Sequence, residues 1–445
     1  MTFPITLETP IRFPGPLPGA ADVVVLGGGI IGVMTAHYLA QAGQKVVLCE
    51  KGRIAGEQSS RNWGWIRQQG RDKDELPIVV ESLRLWQGFA QTFGDALGFR
   101  QNGVVYLANS DKALEQYEAF LPHAQAHGVD TRMMARCEVA ALLGTSANWK
   151  GAMITPSDAR AEPFVAVPLL AGLAAEAGVC IVENCAVRSL DVQAGAVTGV
   201  VTEQGRVRAA RVVVAGGAWS RLFLAAQGVA IPQLSVLASV AQTETMPEIF
   251  AGAAADDHFA FRRRMDGGYT LAPGAEHDFF LGPDAIRSFG LYLTVLKKDF
   301  RSTHLRPAAP AGYPDGWRTK RHWGNGPSPF ETMRILNPAP NRASLSRVQD
   351  RFATAFPALG RPQIKRAWAG MIDTMPDVVP VVDHGPIPGL TIATGMSGHG
   401  FGIGPGMGRV VADLVMGRAT GHDLSRFRLS RFRDGTTPQP GPALA

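Results

Sequence analysis

The fold is decided by residues 22–50, which read DVVVLGGGIIGVMTAHYLAQAGQKVVLCE. The run VVVL at 23–26 is rich in β-branched residues and predicts a short strand that is buried on both faces. A glycine-rich turn follows, then a segment with helical spacing that ends at Gly43, and then a second buried strand in KVVLCE. This order of strand, helix and strand predicts a βαβ unit.

The turn in this unit has the pattern Gly27-x-Gly29-x-x-Gly32. In dinucleotide-binding folds the first glycine permits the tight turn, the second lets the pyrophosphate approach the backbone, and the third lets the helix pack closely on the strand. The helix N-terminus offers free N–H groups and a partial positive charge to phosphate. Glu50 ends the second strand, where an acid accepts a hydrogen bond from a ribose 2′-hydroxyl. The unit therefore predicts a dinucleotide site.

The rest of the chain alternates between this pattern and a more irregular one, in which aromatic residues, prolines and charges mix. The simplest architecture is α/β, with a discontinuous Rossmann-like nucleotide-binding domain and an inserted α+β substrate domain built on an antiparallel sheet. The predicted division is 20–105, 160–225 and 365–430 for the nucleotide-binding domain, 106–159 and 226–364 for the substrate domain, 1–19 for an extended arm, and 431–445 for a flexible tail.

Two later segments favour FAD over NAD as the dinucleotide. Residues 211–220, RVVVAGGAWS, indicate a buried strand that runs into a turn of small residues, where another backbone can approach closely. Residues 394–408, TGMSGHGFGIGPGMG, indicate a long glycine-rich loop that leads into a helix. A helix start can face the pyrimidine edge of a flavin, where negative charge collects on reduction. We therefore expect an FAD-binding domain.

Four segments in order, GGGIIG, EKGRIAGEQSSRNWGW, VVVAGGAWS and ATGMSGHGFGIGPGMG, resemble the D-amino acid oxidase, glycine oxidase and sarcosine oxidase family of FAD-dependent amine oxidoreductases. The resemblance spans about residues 22–430. It implies an enzyme that oxidises the C–N bond of a primary or secondary amine or an amino acid. A hydride passes to the flavin, the resulting imine is hydrolysed, and either O2 or a carrier takes the electrons.

The resemblance also implies which residues hold the cofactor: the glycines take the pyrophosphate, Glu50 the adenosine ribose and the Val187 backbone the adenine. The expected FAD-binding residues are Gly27, Gly29, Ile30, Ile31, Gly32, Glu50, Lys51, Ser59, Ser60, Arg61, Asn62, Trp63, Val187, Gly216, Trp219, Gly398, His399, Gly400, Phe401, Gly402 and Ile403. No cysteine follows Cys185, whereas sarcosine oxidases bond the flavin through a late one, so FAD is expected to be non-covalent.

The chain departs from the family at the substrate side. Ile372 stands where D-amino acid and glycine oxidases carry an arginine that grips the substrate carboxylate bidentately. Gly402 stands where sarcosine oxidases carry a lysine. Asp373 follows Ile372, and the sequence GMID is similar to that of putrescine-type amine oxidases. These departures weaken the expectation of a glycine-oxidase-like grip on an α-amino acid.

The substrate pocket is expected to combine aromatic and charged side chains, because an aromatic box holds an alkylamine and supports a cation–π contact. Arg67 binds either an acid group of the substrate or a nearby carboxylate of the protein. For each aromatic residue the alternative is core packing, and for His322 it is a structural role. The residues proposed for catalysis are Asp373, Arg67, Tyr269, His322, Trp323 and Trp368, with Trp63, Trp65 and Phe261 as further pocket candidates.

The composition limits the classes of function. With 46% hydrophobic and 18% charged residues, the chain is not mainly disordered. The 44 basic and 38 acidic residues give a net charge of +6 over 445 residues, too small to argue for nucleic acid. The four cysteines include no CxxC pair, which favours a reducing compartment such as the cytoplasm. No apolar stretch is long enough to predict a membrane span, and the N-terminus does not read as a signal peptide.

Residues 287–321 have an unusual charge pattern, with eight basic residues and two acids around the apolar run GLYLTVL at 290–296. Three interpretations stay open. The segment docks on a partner subunit or peripherally on the inner face of a membrane, or it forms a basic lid over an anionic substrate, or it is a solvated loop beside a buried strand.

Three functional hypotheses follow from these observations. In the first, the chain alone is an FAD-dependent amine or amino acid oxidoreductase. In the second, it is the flavin subunit of a hetero-oligomeric amine or amino acid dehydrogenase, which needs a partner for electron transfer. In the third, it binds FAD without catalysis, and the complete flavin loop and the aromatic pocket residues argue against this.

Overall fold

A computed structural model describes residues 3–145, 147–299, 302–324, 326–436, 439 and 441. Arg301, the side chains of Lys298 and Asp299, and most of the predicted tail beyond 436 lie outside the described residues. The strands are β1 Val23–Leu26, β2 Val46–Cys49, β3 Trp65–Ile66, β4 Val104–Ala108, β5 Arg132–Ala135, β6 Gly151–Thr155, β7 Ala159–Arg160, β8 Cys180–Val182, β9 Val187–Gln193, β10 Ala196–Thr202, β11 Gly205–Arg208, β12 Arg211–Val214, β13 Leu234–Thr243, β14 Ala253–Ala255, β15 Ala260–Arg263, β16 Tyr269–Ala272, β17 His277–Phe280, β18 Thr303–Arg306, β19 Ile364–Thr374, β20 Val381–His384 and β21 Leu390–Thr394. The α-helices are α1 Ile30–Gln41, α2 Gln58–Arg61, α3 Leu76–Phe93, α4 Asp111–Glu118, α5 Leu121–Ala126, α6 Arg136–Leu143, α7 Pro163–Glu176, α8 Ser220–Ala226, α9 Pro283–Asp299, α10 Pro329–Thr332, α11 Arg342–Ala355 and α12 Gly400–Met416.

The first sheet is the predicted Rossmann-like sheet, with strand order β20-β21-β12-β1-β2-β8. Five neighbouring strands run parallel, and β20 pairs antiparallel with β21 at one edge. All four residues of β1 are buried, as its β-branched composition predicts for a strand covered on both faces. The βαβ unit and the return of residues 211–214 to the parallel sheet are confirmed.

The second large sheet is mixed and mainly antiparallel, in the order β18-β17-β13-β16-β15-β14-β4-β6-β5, with β19 also paired to β13. The predicted α/β class with an added antiparallel sheet is therefore confirmed. A three-stranded antiparallel meander, β9 to β11, lies between α7 and β12 in the chain, as its sequence indicates. The division into two domains stays a prediction, and one of its pieces needs changing. Residues 365–374, assigned to the nucleotide-binding domain, pair along β19 with β13 of the mixed sheet.

The C-terminal glycine-rich segment is more helical than expected. The sequence suggests a loop through Gly408, but α12 already begins at Gly400. The glycines serve helix packing instead: a Cβ on Gly408 would lie 2.4 Å from the Cβ of Met34 on α1, and a Cβ on Gly404 would lie 2.6 Å from the side chain of Ile30. Spacing of four residues places both glycines on the same face of α12.

The N-terminal arm packs on the mixed sheet. Phe3 is buried and its ring makes an edge contact with Trp368, at 4.6 Å between centroids. Arg53 holds the arm further along by donating to the carbonyls of Leu7 and Thr9.

The start of the predicted flexible tail is also anchored. Arg431 is buried and forms a bidentate pair with Asp377 at 2.8 and 3.0 Å. The expectation of a loose tail is therefore wrong at Arg431, because its guanidinium neutralises a buried carboxylate.

The apolar run 290–296 belongs to a helix. The interpretation that placed a buried strand there is wrong, because α9 spans Pro283–Asp299. Its apolar residues recur at helical rather than alternating spacing, so one face packs inward and the other faces outward.

Candidate cofactor and substrate site

A deep cleft opens at the carboxyl ends of the parallel strands β1, β2, β12 and β21, where open α/β sheets bind their ligands. Its walls come from the turn after β1, the loop after β2, residues 57–63, the turn after β12, strand β19 and the start of α12. About 1890 Å³ of empty space lies inside it, counting the open mouth.

The turn between β1 and α1 is built from closely approaching backbones. Gly27 has φ of +107°, and a Cβ there would lie 2.4 Å from the carbonyl oxygen of Ala215. A Cβ on Gly32 would lie 2.0 Å from the carbonyl oxygen of Gly27, so this glycine lets α1 pack on the turn. Ser59 accepts a hydrogen bond from the N–H of Ile30 at 2.9 Å and fixes the start of the helix. The start of α1 therefore faces the cleft with N–H groups that suit a phosphate.

Glu50 is held at the end of β2 by two backbone donors. Its Oε2 accepts from the N–H of Gly28 and its Oε1 from the N–H of Gly52, both at 2.7 Å. Burial raises the pKa of Glu50 to about 7, although Lys51 and these two N–H groups oppose the shift. Each oxygen keeps a further lone pair, so the carboxyl group can still accept from a ribose hydroxyl.

Arg61 organises the segment that runs along the cleft. Its guanidinium donates to Asn337 Oδ1 at 2.6 Å and to the carbonyls of Ala369, Gly56 and Ile5. Burial lowers the pKa of Arg61 to about 10. Because the guanidinium is taken up by protein acceptors, Arg61 ties the arm and β19 to the cleft wall.

Glu57 connects the same wall to Trp219. Its carboxylate accepts from Lys51 Nζ at 2.6 Å and from the indole N–H of Trp219 at 3.0 Å. The Lys51 ammonium also lies 4.4 Å from the centre of a Trp219 ring. Lys51 and Trp219 therefore stand together at one edge of the cleft.

Asp373 closes the cleft from β19. Its Oδ2 accepts from the N–H groups of Gly395 at 2.7 Å and Met396 at 3.3 Å, and from Thr394 Oγ1 at 3.4 Å. Burial raises the pKa of Asp373 to about 6, opposed by these N–H groups. The carboxyl group therefore holds the loop after β21 in place as well as lining the cleft.

His399 stands at the N-terminus of α12 and faces a buried acid. Its Nδ1 lies 3.2 Å from Glu75 Oε2, and both side chains are almost completely buried. Burial, assisted by the charges of Arg71 and Arg67, holds the pKa of His399 well below its usual value. Burial also raises the pKa of Glu75 to about 7, with the two arginines opposing it. A neutral His399 can donate from Nδ1 to Glu75 and keep Nε2 as an acceptor.

The end of the cleft near Arg67 contains an unusual number of unsatisfied polar atoms. Twelve buried side-chain nitrogen or oxygen atoms of the described residues have no hydrogen-bond partner. Six of them lie in this one region: Trp65 Nε1, Gln69 Nε2, Arg71 Nη1, Glu75 Oε1, the Tyr106 hydroxyl and His399 Nε2. Natural proteins rarely leave buried polar groups unpaired, so each such group calls for a ligand, a bound water or a functional role.

Contacts hold this group of residues together. Arg71 Nε donates to the Arg67 carbonyl at 3.3 Å, and Arg67 Nη1 donates to the Gln69 carbonyl at 2.7 Å. The Arg67 guanidinium also lies 5.3 Å from the centre of the Tyr106 ring, which lies 6.4 Å from the Trp65 ring. Arg67, Arg71, Trp65 and His399 line the cleft itself.

Most of the residues predicted for cofactor binding meet in the cleft. Its lining includes Gly27, Gly29, Ile30, Ile31, Glu50, Lys51, Ser59, Arg61, Asn62, Trp63, Val187, Gly216, Trp219, Gly398, His399, Gly400, Phe401 and Gly402. Gly32, Ser60 and Ile403 lie behind the lining, where Gly32 permits close packing and Ile403 belongs to the hydrophobic core. Their assignment to cofactor contact is therefore not supported by the geometry.

Of the residues proposed for catalysis, Asp373 and Arg67 line the cleft and the other four do not. The Tyr269 hydroxyl accepts from the Ile249 N–H within a packed aromatic cluster that also contains Phe261. Trp323 donates to the Arg188 carbonyl and Trp368 to the Arg61 carbonyl, each buried beside the cleft. His322 is exposed on a loop. For these four residues, core packing or surface exposure explains the position better than a role in the substrate pocket, because their polar atoms have partners elsewhere or face solvent.

Sequence reasoning missed Arg71 and Glu75. A signal was present: Arg71 follows Arg67 by four positions, shortly after the segment, ending at Trp65, that carries the family resemblance. A second basic residue there does not by itself separate a ligand contact from a surface charge. A buried Arg71 Nη1 without a hydrogen-bond partner separates a ligand contact from a surface charge, and only the folded structure shows that this atom is buried and unpaired.

The strand–glycine turn–helix unit, the acid after β2 and the helix start at His399 together define a dinucleotide-binding fold of the flavoprotein type. The family model for FAD dependent oxidoreductases matches residues 22–414, so the chain belongs to this family. The match covers most of the chain and both sheets.

Two relatives illustrate the range of similar proteins. The chain is 26% identical over 434 residues to mitochondrial dimethylglycine dehydrogenase of Mus musculus, covering 96% of this chain and 46% of that protein. It is 26% identical to sarcosine oxidase subunit beta of Rhizobium meliloti (strain 1021), covering 95% and 91%. The chain thus spans about half the length of the dimethylglycine and sarcosine dehydrogenases that it matches, but nearly all of the bacterial subunit.

Among solved structures, the L-amino acid deaminase from Proteus myxofaciens in complex with anthranilate has a TM-score of 0.89 with this chain at 31% identity. The match covers 95% of both chains. The fold and the family are therefore established for nearly the full length of the chain.

The residues present fit FAD. The backbone of the β1–α1 turn packs so tightly that only glycine fits at Gly27, and it leaves the helix start open to the cleft. The lining continues from this turn past Trp63 and Trp65 to the N-terminus of α12, as an extended dinucleotide requires. The orphaned Nε2 of His399 at the far end offers an acceptor inside the cleft.

Proposed function

We propose that the chain is an FAD-dependent oxidoreductase that oxidises the C–N bond of an α-amino acid, whose carboxylate is bound by Arg71 beside Arg67. The observation that carries this proposal is the buried Arg71 Nη1 without a partner in a cleft that fits FAD. The sequence alone leaves both amines and amino acids open as substrates, and the unpaired Arg71 Nη1 favours an amino acid.

A carboxylate is the ligand that this end of the cleft lacks. Burial and the neighbouring Arg67 lower the pKa of Arg71 to about 9, so its guanidinium is still charged at neutral pH. A buried charge without a partner is costly, and a charge-assisted hydrogen bond to a carboxylate removes that cost. A planar guanidinium also suits a carboxylate better than an ammonium does.

The protein's own acids do not fill this role. The Asp158 carboxylate accepts hydrogen bonds from the N–H groups of Gln68 and Gln69, at 2.7 and 3.2 Å. Burial raises the pKa of Asp158 to about 7 despite these bonds, and the pKa of Glu75 to a similar value. Both acids are therefore partly neutral near pH 7, and Arg71 Nη1 finds no acceptor among the described residues.

Bound FAD would supply the two-electron acceptor for a hydride from the carbon that carries the nitrogen. The residues of the chain would bind and orient the substrate and exclude water. Trp63 and Trp65 contact each other edge to face at 5.2 Å and form an apolar wall between the mixed sheet and the cleft. With the carboxylate fixed by Arg71, this wall limits the positions open to the substrate, as hydride transfer requires. The substrate nitrogen loses a proton, and water adds to the imine, which then releases ammonia or an amine and leaves a carbonyl product.

The experiment is an anaerobic titration of the flavin-loaded protein with α-amino acids, their N-methylated forms and the matching amines without a carboxylate. We expect the flavin absorbance to bleach with amino acids or their N-methylated forms and to stay unchanged with the matching amines. Bleaching by the amines alone would contradict the carboxylate assignment. Admitting air after bleaching tells an oxidase, whose colour returns, from a dehydrogenase that needs a carrier.

A second candidate, the flavin subunit of a hetero-oligomeric dehydrogenase or oxidase, is favoured by the match to sarcosine oxidase subunit beta over 91% of that protein. In this case the substrate still reduces the flavin, but reoxidation requires a partner subunit. The size of the native complex, measured on protein purified from its source, separates the two candidates.

We also propose that the protein is located in a reducing compartment such as the cytoplasm. It is supported by four free cysteines, of which Cys49 and Cys185 are buried. No helix in the described part of the chain is long and apolar enough to cross a membrane.

A further inference from the structure

The inner and the outer face of helix α9, Pro283–Asp299, are both apolar at their centre. Its inner face packs through Tyr292, whose hydroxyl donates to the Thr374 carbonyl at 2.7 Å and accepts from the N–H of Leu234. Its outer face presents Ile286 and Phe289, which are 64% and 57% exposed. An apolar outer face is unusual for a helix that already packs on its own protein.

The exposed apolar side chains continue beyond the helix. Trp317 donates from its indole N–H to the carbonyl of Leu281 at 3.0 Å, and the N–H of Leu281 donates to the carbonyl of Arg306, so the three segments adjoin. Ten large apolar side chains of the described residues are exposed, and six of them lie between 281 and 317. We call these six the apolar surface: Leu281, Ile286, Phe289, Leu293, Leu305 and Trp317.

The exposed charges that the structure describes along residues 281–320 have a single sign. Among the described side chains of residues 281–320, the charged ones that are exposed are all basic: Arg287, Lys297, Arg306, Arg318 and Lys320. The two acids whose side chains are described here are paired within the protein: Asp284 is buried against Arg221 and Arg321, and the half-buried Asp315 accepts from Arg321 and the N–H of Asp284.

We propose that the apolar surface docks on the headgroup region of an anionic lipid bilayer. An interfacial helix needs apolar side chains that enter the acyl boundary and basic side chains that reach anionic headgroups, and α9 with its flanking basic residues supplies both. Trp317 adds a side chain that prefers the interface. The apolar surface lacks exposed acids among its described residues. It therefore does not offer the polar rim of mixed charges that is typical of a protein–protein interface.

The experiment is flotation of the full flavin-loaded chain with vesicles of phosphatidylglycerol and phosphatidylcholine, compared with vesicles of phosphatidylcholine alone. We expect binding to the anionic vesicles and little binding to the neutral ones. The triple variant Lys297→Gln, Arg318→Gln and Lys320→Gln should weaken binding on the order of 100-fold, at about fivefold for each basic residue near the surface. The matched control is Lys112→Gln, Lys365→Gln and Arg418→Gln, three exposed basic residues elsewhere.

A second pair of variants tests the apolar contribution. Ile286→Ser with Phe289→Ser should lower binding to anionic vesicles, while Val192→Ser, at a position that is 42% exposed on the meander, should not. Flavin content and flavin reduction by substrate should stay unchanged in all of them, because none of these residues lines the cleft. Equal binding by the wild type to both kinds of vesicle, no binding at all, or wild-type binding by both test variants would overturn the proposal, and the last two would favour a protein partner for this surface.

Discussion

The two ends of the cleft differ in how far the protein satisfies its own polar groups. At the end formed by the parallel sheet, Glu50 accepts from the N–H groups of Gly28 and Gly52 at 2.7 Å each. At the opposite end, buried polar atoms of Arg71 and Tyr106 have no partner. The side-chain acceptors of Glu50 at the first end are paired within the protein, whereas these polar atoms at the second end are not.

The difference indicates where shape is fixed and where a ligand contributes. Groups that bond within the protein hold the cofactor end in one geometry before any ligand arrives. Each unpaired buried group costs about 1–3 kcal/mol, so the other end stores free energy that a matching ligand recovers. We therefore expect variants at the first end to act through cofactor binding, and variants at the second end to act through substrate binding.

The largest effect is expected from Gly29→Val, which should abolish flavin binding. A Cβ at Gly29 would lie 3.0 Å from Ser59 Oγ, and the two methyl groups of valine would occupy the space in front of the helix start. Flavin absorbance per chain after purification measures the effect. The control is Gly88→Val, on an exposed part of α3 where an added Cβ meets nothing within 4 Å. Full flavin content in Gly29→Val would remove the cofactor assignment of this turn.

The fold and the cofactor end could be predicted from the sequence because they depend on local patterns. A β-branched run, three spaced glycines and a terminal acid determine the β1–α1–β2 unit within 29 residues. The sequence does not predict the helix at the C-terminal glycines, because glycine suits both a loop and close helix packing. Only the contact between Gly408 and Met34 decides between the two.

The next largest effect is expected from Arg71→Met, which removes the guanidinium but keeps an apolar side chain. We expect kcat/KM for the amino acid to fall about tenfold to hundredfold, the value of a charge-assisted hydrogen bond of about 1.5–3 kcal/mol. Flavin content should not change. The matched control is Arg84→Met, at an exposed position of α3. An unchanged kcat/KM in Arg71→Met would contradict the carboxylate assignment while leaving the cofactor site intact.

The substrate end could be predicted only in part. The sequence predicts Arg67 and Asp373, which line the cleft, but the aromatic candidates Tyr269, Trp323 and Trp368 do not line it. An aromatic residue has the same sequence signature in a core and in a pocket, since both are apolar. Long-range pairing decides which one it joins: β16 places Tyr269 against β13 and β15, deep in the mixed sheet.

Asp373 lines the cleft from β19, and its variants separate a role in holding the loop after β21 from a role on the substrate. Asp373→Ala should lower the free energy of unfolding by about 1–3 kcal/mol, because the N–H of Gly395 loses its buried acceptor. Asp373→Asn keeps an acceptor oxygen and should lose much less. Urea unfolding of the flavin-free protein measures both. If Asp373→Asn is as stable as the wild type but has lost substrate reduction of the flavin, the carboxylate acts on the substrate and is more than a positioning group.

The last expected effect is in the pH dependence of stability. Burial raises the pKa of Glu75 to about 7 from a value of 4.5, so the folded protein binds this proton more readily than the unfolded chain between these pH values. The free energy of unfolding should therefore rise as the pH falls from about 7 to 4.5. Glu50 and Asp158 add to this in the same direction, since burial raises the pKa of each to about 7.

The variant Glu75→Gln isolates one part of this slope, because glutamine does not titrate. Its stability in the flavin-free protein should depend less on pH between 5 and 7 than that of the wild type, while Glu118→Gln, at an exposed position on α4, should keep the wild-type slope. Measurements should stay above pH 4.5 because of Glu162. There the charges of Arg262 and Arg264 outweigh the effect of burial and lower the pKa to about 2. Protonation of Glu162 at lower pH therefore decreases the free energy of unfolding, opposite to the effect of Glu75. An identical slope in wild type and Glu75→Gln would mean that Glu75 is charged in the folded protein and pairs with the arginines, which would leave less positive charge for a substrate carboxylate.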